Sequence, residues 1–408
     1  MLGYRKRSFD RAHGLLEALR ADLDDFQSLK ALQHLLLSEI ARSEQRIRRL
    51  KDMKASDAAG AKSISYLDSR IDGFRRCNFI WRGFGDAIAF LYMDKYALKH
   101  TYFSTKNANP KQDAGFIIDK AGLAFELGVL DSAIQHGVPA LLTDITNTIR
   151  HGDICLMGNS APYLIEVKAA KSKNPRAKKQ FRSIEKLHSF FETDQSVGLR
   201  GIPFLTRHAS ALPEISYEAD LNECIAEARA LGHAVRRPES GLTYIVFEEC
   251  QVPVADVLAS SGAKRPWAFM LNQLKSTRSW APFQPFVLSI KNKQDLWDFI
   301  SGKLVIMVMV EPDALIEFAA MHGKKAWVDG TDPAFHLHFD GSPDEGGLAV
   351  ISENLIARIG LEFISPRWIV SSALDRWKDG AAAVSAHWDD LSPDHRVEWL
   401  NFAQISDK

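Results

Sequence analysis

From Leu15 to Ala59 the chain contains neither glycine nor proline. Apolar residues step through this stretch at helical intervals, at Leu19, Leu23, Phe26, Leu29, Leu32, Leu36 and Ile40. A backbone without breakers that carries a stripe of this period folds as a long amphipathic helix or a helical hairpin. The stripe must then be covered, by the rest of the chain or by a second copy in a short coiled coil. Packing within the chain is the simpler solution; a homodimer or a partner protein held through these helices is the alternative. Ala55 to Lys62 (ASDAAGAK) reads as a linker, and apolar, aromatic-rich helices follow as far as Tyr96.

At 408 residues the chain is long enough for two or three domains, each with its own core. The expected class is mixed α/β. The expected parts are a helical region over 1–112, an αβ core domain over 113–201 and an α/β domain over 202–408. Lys and Arg number 51 against 51 Asp and Glu, so net charge offers no general attraction for a polyanion. Any nucleic-acid partner must be read from local features. The basic N-terminal stretch runs into charge-interrupted sequence instead of an apolar signal core, and Leu304 to Val310 is too short to span a bilayer. Cys77, Cys155, Cys224 and Cys250 form no CxxC pair. No membrane and a reduced, cytoplasmic setting are the expectation.

The rhythm changes after Ala114. Leu123, Leu127, Leu130 and Ile134 mark one face of a helix that ends near Gly137 and Pro139. Two short apolar runs follow, Ile154 to Met157 and Tyr163 to Val167, with turn-forming Gly158, Asn159, Ser160, Ala161 and Pro162 between them. This is a hairpin pattern. Further on, candidate strands are Thr243–Phe247, Pro285–Ile290, Leu304–Val310, Phe335–Phe339 and Trp368–Val370, with Gly232, Gly302, Gly323 and Gly360 as helix ends.

The stretch Gly152 to Lys168 (GDICLMGNSAPYLIEVK) carries the chemistry. A hairpin turning symmetrically about Asn159 and Ser160 puts Asp153 opposite Glu166, with β-carbons about 5 Å apart. Two carboxylates so close repel, unless a hard divalent cation lies between them. Strand alternation brings Lys168 out on the same face as Glu166. Acid, acid and amine together suit phosphodiester hydrolysis, in which a metal polarises a phosphoryl oxygen and activates water while an ammonium offsets charge.

Asp153 followed after the hairpin by Glu166-Val167-Lys168 resembles the PD-(D/E)XK nuclease superfamily, with its restriction-endonuclease-like fold. The resemblance implies a helix packed before a central mixed sheet, and Mg²⁺ (or Mn²⁺) held by Asp153, Glu166 and the Val167 carbonyl. It also implies Lys168 as catalytic amine, an added acid from the preceding helix at Glu126, and a polar residue in the following helix at Gln180. Asp119 and Asp144 compete with Glu126 for the third acid. Gly152 stands where the superfamily usually has proline. The only other acid-x-Lys triplet, Asp52-Met53-Lys54, falls in the breaker-free helix and has no hairpin before it.

Local charge supports the same reading. Lys168, Lys171, Lys173, Arg176, Lys178, Lys179 and Arg182 follow one another with no Asp or Glu between them, a pattern suited to positioning a phosphate backbone. Phe181, Phe190 and Phe191 are expected in the helix core. His336 and His338, with Asp340 nearby, read as an edge-strand pair without a matching ligand set. The expected function is that of a Mg²⁺-dependent nuclease acting on DNA, with restriction or anti-phage defence as a fitting role. An RNA-directed nuclease, an inactive nuclease fold used for binding or assembly, and a helical oligomerisation protein are the alternatives.

Overall fold

The computed structural model describes the chain apart from residues 1–4, 56–60, 114, 168–174, 208–209, 249–253, 278, 329–336, 340–348 and 387–408. The class is mixed α/β: long helices come first, and several small antiparallel sheets follow. The chain divides into two compact units. The first comprises residues 1–193 together with 273–289, so the N-terminal helices and the hairpin share one unit; the second comprises 194–272 and 290–408.

In the first unit the breaker-free stretch is a hairpin of α1 (Lys6–Ala21) and α2 (Phe26–Ala55). The break falls at the acidic run around Asp24, where the Asp25 carboxylate accepts the Ser28 amide at 3.0 Å and starts α2. Leu19, Leu29, Leu32, Leu36 and Ile40 are fully buried, so the stripe a coiled-coil partner would use is covered by the chain's own packing, with α1 and α3 (Ala61–Tyr92) against α2. Leu23, in the turn, is exposed. After α4 (Lys95–His100) come α5 (Leu123–Gln135), β1 (Ala140–Leu142), β2 (Ile154–Leu156), β3 (Tyr163–Ile165) and α6 (Pro175–Thr193).

The strands form an antiparallel sheet in the order β1-β2-β3. Among the described residues this unit holds no parallel strand, where the resemblance implies a mixed sheet. Ile154 pairs with Ile165, Cys155 with Leu164 and Leu156 with Tyr163, the register of a turn centred on Asn159 and Ser160. The edge of β1 that pairs with no strand is closed by a side chain. Gln33 of α2 donates its amide to Ala140 O (2.9 Å) and accepts the Leu142 amide (3.0 Å), as a neighbouring strand would.

Helix α3 approaches the segment after β1 so closely that a β-carbon on Gly85 would lie 2.0 Å from Ile145 O. Beside it, Asp86 accepts the amides of Asn147 and Thr148 and the Asn147 side chain, each at 2.8 Å. Thr148 donates its hydroxyl to Ala281 O, which brings the 273–289 segment into the same core.

In the second unit β4 (Gln195–Val197) and β5 (Phe204–Thr206) pair, followed by α7 (Glu218–Leu231), β6 (His233–Glu239), β7 (Leu242–Glu248), α8 (Val254–Ser260) and β8 (Trp267–Met270). Two single turns come next, α9 (Leu271–Leu274) and, within the first unit, α10 (Phe286–Ser289). The chain then forms α11 (Lys293–Ser301), β9 (Leu304–Val310), α12 (Pro312–Met321), β10 (Ala326–Val328), β11 (Leu337–Phe339), β12 (Ala349–Ile351), α13 (Glu353–Leu361) and α14 (Pro366–Ala386). An antiparallel sheet of order β6-β7-β9-β8 carries the core residues Ile245, Phe247, Met307 and Met309.

Several expectations change. Within Pro285–Ile290, residues Phe286–Ser289 form a helical turn, and Trp368–Val370 lies in α14, since short apolar runs do not distinguish a strand from a buried helical turn. Gly232 and Gly302 end their helices with φ of +83° and +89°, whereas Gly360 lies inside α13, where a β-carbon would meet the Phe269 ring at 2.3 Å. His338 lies on β11, a strand paired on both sides instead of at an edge; His336 and Asp340 fall outside the described residues. Cys77, Cys155 and Cys224 are buried free thiols, and Cys250 is outside the described residues. No helix among the described residues is long and apolar enough to cross a membrane.

The approach of α3 makes a paired prediction. Gly85→Ala forces a methyl onto the Ile145 carbonyl and should destabilise the protein by about 3 kcal/mol. Gly14→Ala, on an exposed face of α1 with nothing near the added methyl, should stabilise it by about 0.5–1 kcal/mol. Equal unfolding midpoints for the two variants would refute the account of this contact.

Candidate active site

Asp144 follows the end of β1 and Asp153 precedes the start of β2, and the pairing of Leu142 with Ile154 brings these strand ends side by side. The Thr143 amide donates to Asp153 O (3.0 Å) and its hydroxyl to Gly152 O (2.8 Å), closing the end of the ladder. Gly152 has φ of +74°, and a β-carbon there would lie 2.9 Å from Ile165 O. Proline cannot adopt that φ, so glycine at this position is a requirement of the local backbone.

The regular β2–β3 pairing ends at Ile154 and Ile165. One step beyond, the Asp153 amide donates to Ile165 O (2.8 Å), and Asp153 Oδ2 accepts the Val167 amide (2.9 Å). Glu166 lies beside this irregular pairing and is half-buried. Val167 therefore meets Asp153 through its N–H, while the resemblance assigns its carbonyl to the metal.

The other Asp153 oxygen belongs to a cluster centred on a lysine. Lys120 Nζ lies 2.8 Å from Asp153 Oδ1, 2.8 Å from Asp144 Oδ2 and 2.9 Å from Glu126 Oε2. Glu126, in the first turn of α5, is buried; Lys120 precedes that helix, after a 3-10 turn over Ile117–Asp119. Both acids weighed for the third position, Glu126 and Asp144, thus join Asp153. Asp119 instead pairs with Arg48. Behind the cluster, Arg82 donates Nε to Asp144 O (3.0 Å) and a guanidinium nitrogen to Glu44 (3.4 Å), tying the site to α2 and α3.

Burial works to lower the Lys120 ammonium, but the charge of Asp144 and hydrogen bonds to Asp144, Asp153 and Glu126 outweigh it and hold the group above the usual lysine range. At neutral pH Lys120 is a fixed cation and cannot serve as a base. Burial raises the Glu126 carboxyl against the opposing pull of Lys120. The donors around this point are all carboxylate oxygens, the hard ligands that suit Mg²⁺, and an ammonium stands where they converge. Among the described residues no group of His, Cys, Asp and Glu is spaced as a ready-made metal site. The residues fit a divalent ion on condition that the Lys120 ammonium moves aside.

The remaining candidates are more dispersed. Lys168, Lys171 and Lys173 fall outside the described residues. Arg176, Lys178, Lys179, Gln180 and Arg182 lie on α6; Lys178, Lys179 and Arg182 are exposed and Gln180 is half-buried. Phe190 and Phe191 are buried as expected, but Phe181 is exposed among the cations. Sequence reasoning missed Lys120, for which no motif exists, and Asp86, whose role depends on a distant loop.

No protein family, curated protein or solved structure matches this chain.

Two outcomes follow from this geometry. Lys120→Met removes the counter-ion from largely buried carboxylates and should cost about 3 kcal/mol without metal, with Mg²⁺ restoring much of the loss in a thermal melt. A melt unaffected by Mg²⁺ would show that the carboxylates do not hold the ion. Asp86, fully buried, is pushed up to about 6 by that burial, against the hydrogen bonds that lower it. Its folded value lies above the ordinary 3.8, so the stability it contributes is complete below that pH and is lost as the pH rises through about 6. Denaturant unfolding should show wild type losing stability relative to Asp86→Asn between about pH 4 and pH 7; parallel pH profiles would contradict this.

Proposed function

We propose that the first unit is a metal-dependent phosphodiester hydrolase acting on nucleic acid, with DNA as the expected substrate. The observation that carries the reading is the convergence of Glu126, Asp144 and Asp153 within 2.9 Å of one point, next to the strand end that bears Glu166. The order α5, β1, β2, β3, α6 and the hairpin register agree with the resemblance to the PD-(D/E)XK nucleases. Asp153, Asp144 and Glu126, with Glu166 at the rim, would hold the ion. A divalent ion bound there would polarise a phosphoryl oxygen and lower the pKa of a bound water.

The chain's own groups supply the rest. The Val167 amide fixes the orientation of the Asp153 carboxylate. Lys120, permanently charged, can offset negative charge developing on the phosphate. Lys178, Lys179 and Arg182 of α6 provide phosphate contacts, and exposed Phe181 offers a ring on which an unpaired base can stack.

Lys120 also favours a second reading. An internal ammonium that already neutralises the carboxylates suits a nuclease fold that binds nucleic acid without cutting it.

One assay separates the two. Supercoiled, linear and single-stranded DNA and RNA are incubated with the protein in Mg²⁺, Mn²⁺ or EDTA, alongside Asp153→Ala, Lys168→Ala and Lys120→Ala. The hydrolase reading expects cleavage that EDTA abolishes and that Asp153→Ala lowers by about 100-fold or more. Binding without cleavage in any metal supports the inactive module. Cleavage equal in wild type and Asp153→Ala removes the site assignment.

A further inference from the structure

Away from the carboxylate cluster, the first unit contains a cavity of about 570 Å³ between α2 and α3, beside Arg5 at the start of α1. Five arginines line it: Arg5, Arg42, Arg46, Arg49 and Arg70. Leu50, Met53 and Phe74 give it an apolar portion. Its size falls within the range of small-molecule pockets, about 300–1,000 Å³.

The arrangement follows from helical spacing. Arg42, Arg46, Arg49 and Met53 recur at four-, three- and four-residue steps on α2, which puts them on one face. Arg70 and Phe74 are four apart on α3 and stack, the guanidinium lying 5.9 Å from the ring centre. Elsewhere on α2, Arg48 pairs with Asp119 and Lys54 with Asp68. At the cavity the carboxylate of Glu39 is shared by Arg5 (3.0 Å) and Arg42 (3.5 Å). Arg46, Arg49 and Arg70 make no ion pair with any described residue.

Like charges at these helical intervals repel. Their concentration around a concave space, with Arg5 buried and fixed by Ser43 Oγ at 2.9 Å and Glu39 O at 3.1 Å, is the arrangement that a multiply charged anion would stabilise. The geometry points to a binding site for a phosphorylated small molecule, a nucleotide carrying at least two phosphate charges. The arginine fork groups take the phosphates, and Leu50, Met53 and Phe74 face the less polar end. This site is independent of the carboxylate cluster and of any cleavage there.

Calorimetric titration of the full chain with ATP, GTP, inorganic pyrophosphate, adenosine and a single-stranded DNA oligomer, in EDTA so that divalent ions play no part, tests it. ATP or GTP should bind one per chain and adenosine should not bind. Arg46→Ala and Arg49→Ala should each weaken the nucleotide by about tenfold, since each removes a charge-assisted contact. Both arginines are exposed, so these variants should keep the wild-type melting temperature, which confirms that they fold. Asp153→Ala should bind as wild type does. Absence of nucleotide binding at millimolar concentration, or equal affinity in wild type and the arginine variants, overturns the proposal. DNA binding that is lost in the arginine variants while no nucleotide binds also overturns it, and assigns the face to a nucleic-acid backbone.

Discussion

A buried carboxylate holds the first unit in order. Asp86 projects from α3 into the segment that follows β1 and accepts the amides of Asn147 and Thr148 and the side chain of Asn147. An irregular segment cannot be buried unless its amides are satisfied. Asp86 meets that condition, and the absent side chain at Gly85 lets the backbones come close enough for it to do so. The consequences spread along the chain in both directions. Upstream the segment fixes Asp144, and downstream it leads through Gly152 to Asp153 and the start of β2.

The carboxylates gathered there lie far apart in sequence, and each is held by a different device. Glu126 comes from a helix's first turn, Asp144 from a segment pinned by α3 and Arg82, and Asp153 from a strand end with both oxygens engaged. Lys120 completes the set by neutralising part of the charge. Buried acids brought this close cannot all remain ionised without a cation. The Lys120 ammonium is the cation that answers this electrostatic problem.

How much of this was legible in the sequence depended on the range of the interaction. The hairpin register was readable because a local turn sets it, and the helical hairpin because its period is local. Asp153 was nominated from its place in that hairpin, and Glu126 only through the resemblance. Lys120 left no such signal: a lysine before a helix is ordinary, and its meaning appears only when the strand ends meet. Gln33 is similar. A glutamine on an apolar helix face looks like an imperfection until it is seen to pair with both Ala140 and Leu142 at the edge of β1. Pro285–Ile290 and Trp368–Val370 were misread for the opposite reason, because their composition fits strand and buried helix equally well.

The return of residues 273–289 to the first unit bears on the order in which the protein can be made. Ala281 accepts the Thr148 hydroxyl and packs with Tyr102 and Phe103, and Leu288 O accepts Arg20 at 3.2 Å. A ribosome that has released only the first 193 residues has therefore not yet supplied part of that unit's core. The unit must wait, incomplete, while the β6, β7 and β8 stretch is synthesised, and only then can it close around its last segment.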